Sequence, residues 1–176
     1  MQEDTRNVID KYRNWSEADI IADLDKQGVD LEVAVENLER DFNMGTIVRN
    51  ANAFGVRYVH VVGRRGWNKR GAMKTDAYLH VIYHATVDDF YAAMRERGRV
   101  VVAVDIIPGA RDLHEASLPR NAVLVFGAEG PGISRELTSR ADDIVMIEQF
   151  GSTRSVNVGV AAGIAMYAWM QQHVLS

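Results

Sequence analysis

The sequence predicts an α/β protein built on a mostly parallel sheet with helices on both faces. Strand-like and helix-like patterns alternate along the chain. The strand-like runs VVVAV (100–104) and NAVLVF (121–126) are apolar throughout, as expected for strands covered on both sides. A glycine turn, FGAEGPGIS (126–134), joins the second of these to a helix-like stretch, where exposed backbone N–H groups commonly face a ligand.

Two amphipathic stretches open the chain. The second runs from Ser16, a suitable N-cap with Asp19 three residues on, to Gly28 as a stop. LEVAVENL (31–38) carries β-branched alternation and reads as a strand. Over 43–54, Met44, Ile47, Val48, Ala51 and Phe54 fall on one helical stripe. VRYVHVV (56–62) is strand-like, YLHVIY (78–83) is a second candidate, and VDDFYAAMRER (87–97) is helical. After the two apolar strands come a short helix following Pro131, a strand at Asp143–Ile147 and a small-residue helix from about Val156. No repeat or low-complexity linker interrupts the 176 residues, so one domain is expected, with 1–32 as an acidic helical extension.

Absence of cysteine excludes disulfides and thiolate metal sites and points to a reducing, cytoplasmic setting. The first 15 residues lack the basic-then-apolar pattern of a secretory signal. From Ser155 onward no residue is charged, and Gly159 and Gly163 have small-xxx-small spacing. The apolar part is only about 13 residues against the roughly 20 needed to span a bilayer. Close packing in a buried helix or subunit interface is expected instead, and no membrane partner.

The net charge of −4 is unevenly spread. Residues 1–41 carry a net −7, and the remainder a net +3. Arg49, Arg57, Arg64, Arg65, Lys69, Arg70 and Lys74 follow one another without an acidic residue between Met44 and Thr75, with Trp67, Gly63, Gly66 and Gly71 among them. A basic, glycine-rich loop with an aromatic suits an RNA-facing surface; it equally suits an ordinary solvated loop.

Ligands in parallel α/β folds sit beyond the carboxyl ends of the strands, which gathers the loops after Val62, Val104, Phe126 and Ile147. Nothing fits a nucleoside-triphosphate loop, a G-x-G-x-x-G turn or a G-x-S-x-G elbow. His80 and His84 lack an evident third ligand, so no metal is expected. Three segments place polar side chains among glycines: Asn37–Gly55 with Asn43 and Arg49, the FGAEGPGIS turn with Glu129, and Ile147–Gly163 with Ser155 and Asn157.

In order and spacing these segments, N-x5-N-x-G-x-I-x-R-x-A-x-A-F-G, F-G-A-E-G-x-G and I-x-x-x-G-x-x-x-S-V-N-V, resemble the three motifs of the SpoU (TrmH-like) family of SPOUT methyltransferases over roughly residues 33–172. The resemblance implies an α/β fold with a C-terminal trefoil knot, a homodimer, and transfer of a methyl group from S-adenosylmethionine to a ribose 2′-hydroxyl of RNA. A small stand-alone domain suits a compact substrate, so tRNA is expected before rRNA. It implies that Val104, Gly127, Gly130, Ile147, Gly151, Ser155 and Val156 hold the cofactor. Arg49, Asn43, Glu129, Ser155 and Asn157 would form the catalytic set, with Arg49 as either base or electrostatic stabiliser. Base methylation on the same fold and a non-catalytic RNA-binding module are the alternatives. Glu148 stands where the family usually has proline, and Val156 where it usually has leucine.

Overall fold

The structure, a computed structural model, describes residues 4–37, 40–63 and 66–176, without the side chains of Asp41 and Arg70. Its strands are β1 (Glu32–Glu36), β2 (Tyr58–Val62), β3 (His80–His84), β4 (Val100–Val104), β5 (Arg111–Asp112), β6 (Ala122–Phe126) and β7 (Asp143–Met146). They form one sheet in the order β3-β2-β1-β6-β4-β7-β5, and every pairing is parallel. The helices are α1 (Glu17–Gln27), α2 (Asp41–Ala53), α3 (Val87–Glu96), α4 (Arg135–Thr138) and α5 (Val158–His173).

The apolar strands are explained by the two cores they serve. Val33 and Val35 of β1 and Leu124 and Phe126 of β6 join Ile47, Val48 and Ala51 of α2 and Met166 and Trp169 of α5 on one face. The intervening Ala34, Val123 and Val125 join Phe90 and Met94 of α3 and Leu137 of α4 on the other. Side chains alternate faces along a strand, so two covered faces require apolar residues at every position.

Local signals set the helix starts. The Ser16 hydroxyl accepts the Asp19 N–H at 3.1 Å, as expected, and Thr86 with Asp89 forms a capping box on α3. α5 lies close against α2. A Cβ added to Gly159 would come 2.9 Å from the Thr46 methyl, and one on Gly163 3.0 Å from Asn50 Nδ2. The small residues of the uncharged C-terminal stretch therefore serve helix–helix approach, and among the described residues no helix is long and apolar enough to cross a membrane.

Two expectations change. The first amphipathic stretch forms only a 3-10 turn, Asp10–Tyr12, and Asn14 two residues later has a positive φ of 63° that stops helix propagation. Tyr12 packs with Ile20 of α1 and with Tyr78, so the acidic N-terminal segment is seated beside the β3 edge of the sheet. The two-residue β5 carries too little pattern to be read from the sequence, and its pairing with β7 defines it.

One buried polar chain lies away from the cofactor-binding candidates. His60 bridges Glu32 through Nε2 at 2.9 Å and His84 through Nδ1 at 2.9 Å, and Arg97 and Arg99 also pair with Glu32. Burial acts to raise the Glu32 pKa, but hydrogen bonds from His60 and Arg97 outweigh it and hold the carboxyl at about 2. Burial, then the neighbouring His60, pushes the His84 imidazole below its ordinary value. Both groups bind fewer protons folded than unfolded, so stability falls as pH falls. The decline begins near pH 6.5, where the unfolded His84 protonates, and continues from about 4.5 toward 2 through Glu32. Urea unfolding at pH 7.5, 5.5 and 3.5 should show both stages; His84→Gln should flatten the first, and an unchanged first stage would contradict this assignment.

Candidate active site

A cavity of about 330 Å³ opens beyond the carboxyl ends of β4, β6 and β7. Its wall comprises Val104, Asp105 and Ile106 after β4, Phe126 to Gly130 with Gly132 after β6, Ile147 and Gln149 after β7, and Ser155 to Val158 with Ala161 at the start of α5. Arg40 and Asn43, at the start of α2, close it. Three of the four expected loops meet here. The loop after Val62 does not, because β1 separates β2 from β6 and each strand step displaces a loop by roughly 4.8 Å. The start of α2, which follows β1, takes its place.

The turn after β6 shows why glycine is required. Gly130 and Gly132 have φ values of 96° and 74°, and the Gly132 N–H donates to the Ala128 carbonyl at 3.0 Å, folding the turn back on itself. A Cβ on Gly127 would lie 2.1 Å from the carbonyl carbon of Gly132 and 2.2 Å from the Ile133 nitrogen, so two backbone segments touch at this point. Asp105 braces the turn from β4: its Oδ2 accepts the Ile133 N–H at 2.8 Å and its Oδ1 the Ile106 N–H at 2.8 Å.

The three polar segments are joined by side chains. Asn157 is the N-cap of α5, its Oδ1 accepting the N–H groups of Gly159 and Val160 at 2.9 and 3.3 Å. Its amide donates to Asn43 Oδ1 at 3.0 Å, and the Asn43 amide donates to Glu129 Oε1 at 2.6 Å. Each asparagine thus has a fixed orientation, and the chain delivers a carboxylate to the cavity wall. Glu129 thereby orients Asn43.

Of the expected site residues, Asn43, Val104, Gly127, Glu129, Gly130, Ile147, Ser155, Val156 and Asn157 line the cavity. Gly151 does not; it is exposed, with open space where a Cβ would stand. Arg49 is also outside the wall. It follows Asn43 by six residues, which places it roughly 120° around α2, on the exposed stripe it shares with Phe42.

The expected RNA-facing set is only partly exposed. Arg57 leaves it: the side chain is buried, and its Nε donates to Asp25 Oδ1 of α1 at 2.8 Å. Trp67 packs against the main core instead of offering a free ring. Lys69, paired with Asp76 at 2.9 Å, and Lys74 are exposed. Arg64, Arg65 and the Arg70 side chain lie outside the described residues. His80 and His84 serve separate partners, Asp25 and His60.

Three polar wall residues, Arg40, Asp105 and Gln149, were not singled out from the sequence. Arg40 immediately precedes α2, and Asp105 immediately follows the apolar run of β4, so position at an element end was the available signal. Gln149 had none; its Oε1 is buried without a hydrogen-bond partner among the described residues.

A parallel sheet with a glycine-lined cavity beyond its strand ends is the layout of a small-molecule-binding α/β domain. The family follows from comparison. A profile of the SpoU rRNA methylase family matches residues 30–167, and the chain belongs to that family. It is similar to the tRNA (guanosine(18)-2′-O)-methyltransferase of Escherichia coli K12, 30% identical over 146 residues covering 81% of this chain and 64% of the relative. The chain thus spans just under two thirds of that enzyme's length. The TrmH/SpoU tRNA modifying enzyme of Aquifex aeolicus superposes with a TM-score of 0.78 at 26% identity, over 89% of this chain and 81% of that one. An AdoMet-bound rRNA methyltransferase from Sinorhizobium meliloti superposes at 0.76 with 28% identity, over 83% and 57%.

Proposed function

We propose that this chain is an S-adenosylmethionine-dependent RNA 2′-O-methyltransferase, acting on tRNA in preference to rRNA, in the cytoplasm and as a homodimer. In this reading the chain is one methyltransferase domain with residues 1–32 as an extension, and its C-terminal part carries the trefoil knot that the resemblance implies. The observation that carries the proposal is the Asn157–Asn43–Glu129 chain, which joins all three motif segments at the wall of one glycine-lined cavity. The names of the E. coli and A. aeolicus relatives favour tRNA.

The residues present fit the cofactor. The cavity falls within the usual range of small-molecule sites, about 300–1,000 Å³. Open space stands where a Cβ would be at Gly130, so a ligand can reach main-chain groups of the turn, and among the described residues the buried Gln149 Oε1 is an acceptor lacking a donor. Glu129 in the wall disfavours a phosphate and tolerates a cation. When bound, S-adenosylmethionine supplies an electrophilic methyl group on a positively charged sulfonium.

The chain's own residues then align and stabilise. Methyl transfer is an in-line displacement, for which holding the acceptor hydroxyl in position is the main task. Ser155 and the oriented Asn43 and Asn157 amides offer hydrogen bonds at the cavity wall. A guanidinium is a poor base in proteins, which favours the electrostatic of the two roles expected for Arg49. Its role is therefore to meet RNA phosphate and the charge developing on the ribose oxygen. Val160, Ile164 and Tyr167 form an exposed apolar stripe on α5, which a second copy of the chain would cover. A monomer in sedimentation at micromolar concentration would overturn the dimer.

Methyl-labelled S-adenosylmethionine with unmodified tRNA tests the activity. Label should enter the RNA and render the phosphodiester at the modified nucleotide resistant to alkali. An alkali-sensitive site would indicate base methylation. No transfer, with no cofactor binding by calorimetry, would indicate an RNA-binding module.

A further inference from the structure

We propose that Asp112, His114 and Glu148 form a divalent-cation site of the zinc type, beside the cofactor cavity and distinct from it. The pairing of β5 with β7 sets Asp112 opposite Met146, so the residues that follow the two strands meet. One donor atom from each of the three side chains lies within 4.8 Å of the others. His114 Nδ1 bonds Glu148 Oε1, and Asp112 Oδ1 is shielded from water with no hydrogen-bond partner among the described residues. A buried carboxylate oxygen left unpaired is costly, and a cation held jointly with His114 and Glu148 would supply the partner that Asp112 Oδ1 lacks. Among the described residues neither carboxylate is paired with Arg or Lys; the adjacent Arg111 pairs with Asp143 instead.

The donor set selects the class of ion. Imidazole with carboxylate suits zinc and its first-row neighbours, whereas magnesium and calcium favour oxygen alone. Zinc bonds of about 2.0–2.2 Å bring ligands to roughly 3.3 Å from each other, so modest side-chain rotation closes this cluster on an ion. The exposed His114 leaves further coordination positions to water. Because Glu148 lies between Ile147 and Gln149 of the cavity wall, a bound ion fastens the loop after β7. That consequence for the cofactor rests on the proposed function; ion binding itself does not.

The test is calorimetric titration of Zn²⁺ into the chelator-treated full chain, followed by thermal unfolding with and without the ion. One ion per chain and a raised unfolding midpoint are expected. His114→Ala, an exposed position whose truncation spares the core, and Glu148→Gln should each weaken binding at least about tenfold and remove the midpoint shift. Failure of the wild-type chain to bind, or undiminished binding by His114→Ala, would overturn the site. Loss of zinc binding with methyl transfer intact would leave the methyltransferase reading standing, whereas zinc binding without methyl transfer would count against that reading alone.

Discussion

Arg49→Ala is expected to lower methyl transfer about 100- to 1,000-fold, the loss typical of removing one preorganised stabilising group. Cofactor affinity should change by less than about twofold, because Arg49 is outside the cavity wall. The two measurements are single-turnover methylation of tRNA and calorimetry with S-adenosylmethionine. The split between them is informative because the other motif residues behave differently. Asn43, Glu129 and Asn157 are mutually hydrogen-bonded at the wall, so truncating any of them disturbs binding and turnover together. Arg49→Lys should recover part of the rate, since charge is kept while the planar fork that grips phosphate is lost. A variant lacking Arg49 that methylates normally would remove it from the catalytic set.

Gly127→Ala should abolish cofactor binding and lower stability by about 1–3 kcal/mol or more, the cost of overpacking against atoms that cannot rotate away. The neighbours at 2.1 and 2.2 Å are backbone atoms of Gly132 and Ile133, themselves held by Asp105. Relief requires the whole turn after β6 to shift, and that turn forms the cavity wall. Gly151→Ala is the matched control. No atom lies within 4 Å of its added methyl, so stability should stay within about 0.5 kcal/mol of wild type. Urea unfolding and calorimetry of both variants check the contrast. Near-equal behaviour of the two would mean that the backbone approach at Gly127 is not a constraint.

What could be read in advance follows the range over which each signal acts. The Ser16 cap, the α2 stripe and the two-faced strands are set by residues within a few positions of each other, and each appears in the structure where expected. Arg57 was misread because its fate depends on Asp25, 32 residues earlier, in a helix whose docking no local pattern specifies. Trp67 was misread likewise, its surroundings being the distant core and not the basic loop around it. The Glu32–His60–His84 chain was invisible for a related reason: its members look like ordinary polar residues until neighbouring strands place them side by side.

The sequence by itself determined the parallel α/β class, most elements and the three polar segments that carry the family's pattern. Periodicity, capping residues and obligatory glycines are local properties, and the ordered trio of segments is specific. Only the tertiary structure decided that the start of α2, and not the loop after β2, completes the cavity, that Glu129 holds Asn43, and that Arg49 is outside the wall. These depend on strand order, which brings β1, β6, β4 and β7 together at one edge. Which polar group meets which is fixed by the loops that strand order makes neighbours, and no short stretch of chain encodes it.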